Sequence, residues 1–64
     1  MIGSIKGKVA ELANEYCLIE TPGGVGYRVF MPSANLAALS LGSEVRVHTY
    51  TSVREDAILL FGFL

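Results

Sequence analysis

Apolar and polar residues alternate with a period of two through most of the chain, in segments cut by glycine and proline, the pattern of short β-strands. Ile2 to Leu12 reads as one long first strand. Gly3 and Gly7 inside it mark a bend or bulge of the kind a barrel corner needs. Ala13-Asn14-Glu15 forms a turn, and Tyr16 to Glu20 a second strand. In Thr21-Pro22-Gly23-Gly24 proline fixes one φ and glycine accepts a positive one, which predicts a hairpin. Val25 to Met31 follows, with Val25, Tyr27, Val29 and Met31 on one face and Arg28 and Phe30 on the other.

After Pro32 the period changes. Ser33 is placed to act as an N-cap, and Ala34 to Leu39 reads as a short helix that ends near Leu41-Gly42. Glu44 to Thr51 shows the clearest alternation, with Val45, Val47, Thr49 and Thr51 opposed to Glu44, Arg46, His48 and Tyr50. Ser52 to Asp56 is a polar turn, and Ala57 to Phe63 the last strand. The order strand, strand, strand, helix, strand, strand is the plan of the OB-fold, a five-stranded Greek-key barrel with a short helix between strands 3 and 4. An SH3-like barrel rarely carries a helix there. The last strand is apolar on both sides, with Ala57, Leu59, Phe61 and Phe63 on one face and Ile58 and Leu60 on the other. One barrel covers one face of a strand, so the second face is expected to meet another chain or another domain.

Composition bounds what such a barrel does. Sixty-four residues make one domain, 1–64, close to the lower limit for folding alone. Apolar residues are 52% of the chain, and a lone cysteine rules out an internal disulfide. A single thiol and the absence of a signal-peptide pattern from Met1 onward point to the cytoplasm. Five Lys and Arg against six Asp and Glu give a net charge of −1, which argues against strong phosphate-driven binding to nucleic acid by this piece alone.

Few residues suggest chemistry. Gly23-Gly24-Val25-Gly26 lacks the lysine and the following helix of a phosphate-binding loop. Cys17 sits among apolar residues as a core cysteine, and His48 on an outward polar face. Glu55 and Asp56 are neighbouring acids on a convex turn, with no partners spaced for a metal site or an enclosed acid–base pair. No catalytic residue, metal or cofactor is expected. Lys6 and Lys8 share one face of the first strand and, with Arg28 and Arg46, read first as a solvated barrel face and second as candidates for weak phosphate contacts.

Several segments resemble the N-terminal domain of the Holliday junction branch migration protein family RuvA. They are Met1-Ile2-Gly3 with Ile5-Lys6-Gly7, Gly23-Gly24-Val25-Gly26-Tyr27, Pro32, Val53-Arg54-Glu55-Asp56-Ala57 and Leu60-Phe61-Gly62-Phe63. Phe61 stands where the family more often has tyrosine, and Ser4 where it is often basic. The resemblance implies an OB-fold that helps build a homotetramer and a non-enzymatic role in recombination and DNA repair. It also implies that Glu55 and Asp56, with Arg54 beside them, form an acidic pin facing the centre of a four-way junction. A second domain with helix-hairpin-helix motifs would grip the DNA, and a third would recruit the RuvB motor. Two other readings rest on the residues alone. One is a free-standing OB-fold binding single strands or oligosaccharide through Tyr16, Tyr27, Arg28 and Phe30, which split between faces. The other is a purely structural interaction domain.

Overall fold

A computed structural model describes residues 2–64; Met1, where the signal-peptide reading and the family resemblance begin, lies outside them. The strands are β1 (Ser4–Leu12), β2 (Tyr16–Glu20), β3 (Gly26–Phe30), β4 (Glu44–Val53) and β5 (Ile58–Phe63), with helix α1 (Ser33–Ala37) between β3 and β4. They close a barrel in the order β1-β2-β3-β5-β4. All pairings are antiparallel except β3 with β5, which is parallel and holds through two residue pairs, Val29↔Leu60 and Phe30↔Phe61. This is the expected OB-fold architecture.

Alternation sends one set of side chains inward from every strand. Ile5 and Val9 of β1, Cys17 and Ile19 of β2, Val29 of β3, Val47 of β4 and Leu60 of β5 meet in one core. Leu36 and Leu39 add to it from the helical segment. No buried polar or charged residue occurs among those described, so the core is held by apolar packing.

β1 serves two partners. Ser4 to Lys8 pair with β4, and Lys8 to Leu12 with β2, so Lys8 stands opposite both Glu44 and Glu20. Gly7 sits at that handover, where a Cβ would run into the carbonyl of Glu20, so the strands approach to a distance only glycine permits. The bulge comes later, between Val9 and Glu11. Ile2 and Gly3 lie outside β1, contrary to the expected start at Ile2. They are tied to β4 instead through its threonines. The Thr49 hydroxyl donates to the Ile2 carbonyl at 2.6 Å, and the Ile2 amide donates to Thr51 Oγ1 at 3.1 Å. Those contacts explain why the inner face of β4 turns from valine to threonine at that end.

The helix differs from its expected bounds at both ends. Pro32, with φ −58° and ψ 148°, is the N-cap; Ser33 is already helical and makes no capping bond. The proline ring pre-sets the backbone just before the helix, and the Pro32 carbonyl accepts from the amides of Asn35 and Leu36. The helix stops at Ala37, but Leu39 N–H donates to the Leu36 carbonyl, a tightened last turn that brings both leucines onto the core.

β3 is shorter than expected, because Val25 closes the preceding turn with its carbonyl, which accepts from the Thr21 amide. β4 runs on to Val53, and Ser52 is an outward strand residue opposite Leu59. A polar serine on a solvent-facing strand position looks in sequence like the first residue of a turn. In β5 the outward face is only partly uncovered. Leu59 and Phe61 are half-buried by side chains of the same barrel, whereas Phe63 is 53% exposed.

Candidate nucleic-acid interface

The β4–β5 hairpin ends in Arg54, Glu55, Asp56 and Ala57, all exposed. The Arg54 amide donates to the Ala57 carbonyl at 2.8 Å, closing a tight connection that leaves both acids at its apex. Neither carboxylate has an ion-pair or hydrogen-bond partner among the described residues, so their charge is directed at solvent. Just below the tip, Val53 and Ile58 face each other across the hairpin and are 74% and 70% exposed. An apolar pair that open, at the root of an acidic tip, is unusual for a surface left in water.

The basic residues do not gather into one patch. Lys6 lies opposite Arg46, and both it and Lys8 are exposed, but Glu44 and Glu20 are interleaved with them. Lys6 Nζ is 3.8 Å from Glu44 Oε1, an exposed pair of small energetic weight. Arg28 is elsewhere, with its guanidinium carbon 4.9 Å from the centre of the Tyr16 ring.

The other candidates resolve simply. Gly23 and Gly24 form the β2–β3 turn, with Gly24 at φ +91°. His48 is exposed, opposite Ser4 on one side and Phe63 on the other. No group of three or more His, Cys, Asp or Glu that could hold a metal occurs among the described residues. Cys17 is fully buried, and its thiol donates to Met31 Sδ at 3.5 Å. Burial pushes its pKa up from the ordinary 9.0, so above that pH the unfolded chain loses a proton the folded chain keeps. The thiol's contribution is therefore intact below pH 9 and lost as pH rises. Thermal melts should show the midpoint falling more steeply above about pH 9 in this chain than in a Cys17→Ala variant.

A feature missing from the sequence reading emerges from the register. Tyr50 lies opposite Phe61, Phe61 beside Phe30, and Phe30 opposite Tyr16, so four outward aromatic residues form a row across β4, β5, β3 and β2. Tyr16 and Phe30 meet edge to face at 5.8 Å, and the Phe30 and Phe61 rings are 6.0 Å apart. Tyr27, grouped with these residues by composition, points to the other side of β3 and packs against the core. Next to the row, the short β3–β5 pairing leaves a cleft of about 490 Å3, bordered by Ile2, Arg28, Phe30, Thr51, Ile58 and Leu59.

Residues 1–62 match the family model described as the RuvA N terminal domain. The chain is 47% identical over 64 residues to the Holliday junction branch migration complex subunit RuvA of Nitratidesulfovibrio vulgaris, covering 98% of this chain and 32% of that protein. It is 49% identical over 63 residues to the protein of the same name from Bifidobacterium adolescentis, covering 98% and 30%. A similar match, 42% over 64 residues, is found in Chloroflexus aggregans. The chain thus spans about a third of the length of these curated relatives. With a family match along nearly its whole length and a barrel of the expected topology, the chain belongs to the RuvA N-terminal domain family.

Proposed function

We propose that this chain is the first domain of the DNA-binding subunit of a Holliday junction branch migration complex, where it works without catalysis in recombination and DNA repair. The observation that carries this reading is the exposed pair Glu55 and Asp56, unpartnered at the apex of a closed hairpin in a chain of this family. In a homotetramer with fourfold symmetry, two acids from each of four copies would bring eight carboxylates around the centre of an open four-way junction. Any one pair of like charges is worth only roughly 1 kcal/mol at about 4 Å in water, and salt screens it beyond about 8 Å. Concentrating eight charges near one axis makes the repulsion felt. Phosphates are then guided outward along separated strands, and an unbranched duplex fits poorly over the centre.

Affinity comes from elsewhere in the full-length protein, from helix-hairpin-helix motifs of a second domain, while a third engages the RuvB motor in the cytoplasm. Lys6 and Lys8 add at most weak phosphate contacts, because Glu44 and Glu20 flank them. Val53 and Ile58, exposed at the root of the hairpin, are the apolar surface best placed for contact between copies near the axis.

The test is Glu55→Gln with Asp56→Asn in the full-length protein. Duplex affinity should rise several-fold at low salt, with the gain shrinking as salt is added, and branch migration should be altered. Unchanged duplex affinity together with unchanged branch migration would remove the acids from this role.

A further inference from the structure

We infer that the cleft between β3 and β5 receives an extended peptide, which pairs as an added strand with the open edge of β3 and sets a carboxylate against Arg28. β3 and β5 close the barrel only through Val29↔Leu60 and Phe30↔Phe61. β3 nevertheless begins at Gly26, and its whole length pairs with β2. On the other side Gly26, Tyr27 and Arg28 have no strand partner, while Ile58 and Leu59 are paired to β4 alone. Backbone N–H and C=O groups of a strand point to either side in turn, so those of this stretch that face away from β2 are left to bond an incoming chain. The cleft of about 490 Å3 lies along this gap, with Gly26, Tyr27 and Arg28 in one wall and Ile58 and Leu59 in the other. An unpaired strand edge beside an apolar cleft is the geometry by which a sheet takes up a further segment.

The walls specify the segment. Side chains of an added strand alternate as those of β3 do. A residue beside Tyr27 turns toward the barrel end, where Ile2, Tyr27 and Ile58 offer apolar surface, Ile58 being 70% exposed. The next residue turns outward beside Arg28, the only charged residue that lines the cleft. The Arg28 guanidinium has no ion-pair partner among the described residues, and its planar N–H fork suits a carboxylate. Acids border the cleft without lining it. Glu20 stands opposite Gly26 on β2, Glu15 precedes Tyr16, and Glu55 and Asp56 lie beyond the Val53–Ile58 pair. They confine the carboxylate to the step beside Arg28, so the fitting pattern is apolar, acidic, apolar, with a single acid. A second copy of the chain fits less well, since every strand of its closed barrel already has two neighbours. A nucleic-acid strand lacks the regular N–H and C=O groups that this edge bonds.

The chain closes its own barrel around its own core and is itself the test protein. The probe is a fluorescein-labelled peptide with valine at every other position, threonine between them and one central glutamate, titrated by anisotropy. Saturable binding is expected. Arg28→Ala and Ile58→Thr should each weaken it by about fivefold, the first through the carboxylate and the second through apolar area. Both positions are exposed, so thermal midpoints should stay near that of the parent chain. Methylating the backbone nitrogens of the three central peptide residues keeps every side chain and should abolish binding, because the strand then cannot pair. Amide exchange followed by two-dimensional NMR should slow within Gly26 to Arg28 when the peptide is added. Glu55→Gln with Asp56→Asn should leave peptide affinity equal or higher, so a failure of the acidic-tip reading and a failure of this one give different results. The inference is overturned by no saturable binding to the parent chain, by equal binding of the methylated peptide, or by unchanged exchange within Gly26 to Arg28. Self-association abolished by Ile58→Thr, without peptide binding, would overturn it in favour of a second copy.

Discussion

Replacing Gly7 with alanine is expected to remove a large part of this domain's stability. A Cβ at that position would overlap the backbone carbonyl of Glu20 and press on the Ile19 Cγ2 methyl 3.0 Å away. A side chain could rotate aside, but a carbonyl held between β1 and β3 cannot move without opening both ladders. Overpacking of this kind costs roughly 2–4 kcal/mol. Glycine-to-alanine changes also stiffen the unfolded chain, a gain of roughly 0.4–1 kcal/mol that is too small to compensate here. A core this size supplies roughly 3–5 kcal/mol in total. Gly3→Ala is the control, because nothing lies within 4 Å of its Cβ position. Circular dichroism melts should separate the two clearly, and a Gly7→Ala variant as stable as the parent would show that the β1–β2 approach is looser than described.

Ile19→Ala should be nearly as damaging. Ile19 is the largest of the five fully buried side chains and sits where β2 crosses the barrel. Isoleucine-to-alanine truncation in a core costs roughly 2–5 kcal/mol, with the spread set by how far the surroundings collapse. Collapse is limited here, since Ile19 is carried on a strand paired on both sides, with Val9 and Tyr27 as its register partners. Urea titration should show little or no folded baseline for Ile19→Ala, whereas Ile19→Val should lose only about 0.5–1.5 kcal/mol. Equal, small losses in both would mean that the core has slack.

What could be read from the chain beforehand follows from how local each signal is. β2 matches its expected bounds because Asn14-Glu15 and Thr21-Pro22-Gly23 punctuate it at both ends. The inner and outer faces of β4 match because alternation is a property of neighbours in sequence. The helix begins at Ser33, one residue before the expected Ala34, because the proline before it already sets the entry angle that a serine cap would otherwise supply. The acidic tip was visible as a polar turn, but polarity could not distinguish Ser52 in a strand from Arg54 in a turn. The aromatic row could not be seen at all. Tyr16, Phe30, Phe61 and Tyr50 are scattered in sequence, and their alignment depends on three cross-strand registers, one of them the parallel β3–β5 closure. Alternation tells which face a residue takes, not which residue stands beside it.

The closure of the barrel has a consequence for biosynthesis. β1 finds one partner early, in β2, but its other edge waits for β4, with Ile5 pairing with Val47, and β3 waits for β5. While the chain is emerging from a ribosome, the β1–β2–β3 meander therefore has two open edges and an uncovered apolar face. It cannot finish burying that face until Leu60 has left the exit tunnel. Pairings so distant in sequence form slowly, and open strand edges invite association with other chains. The nascent domain thus passes through a stage in which a chaperone at the tunnel mouth has more to protect than the finished barrel would suggest.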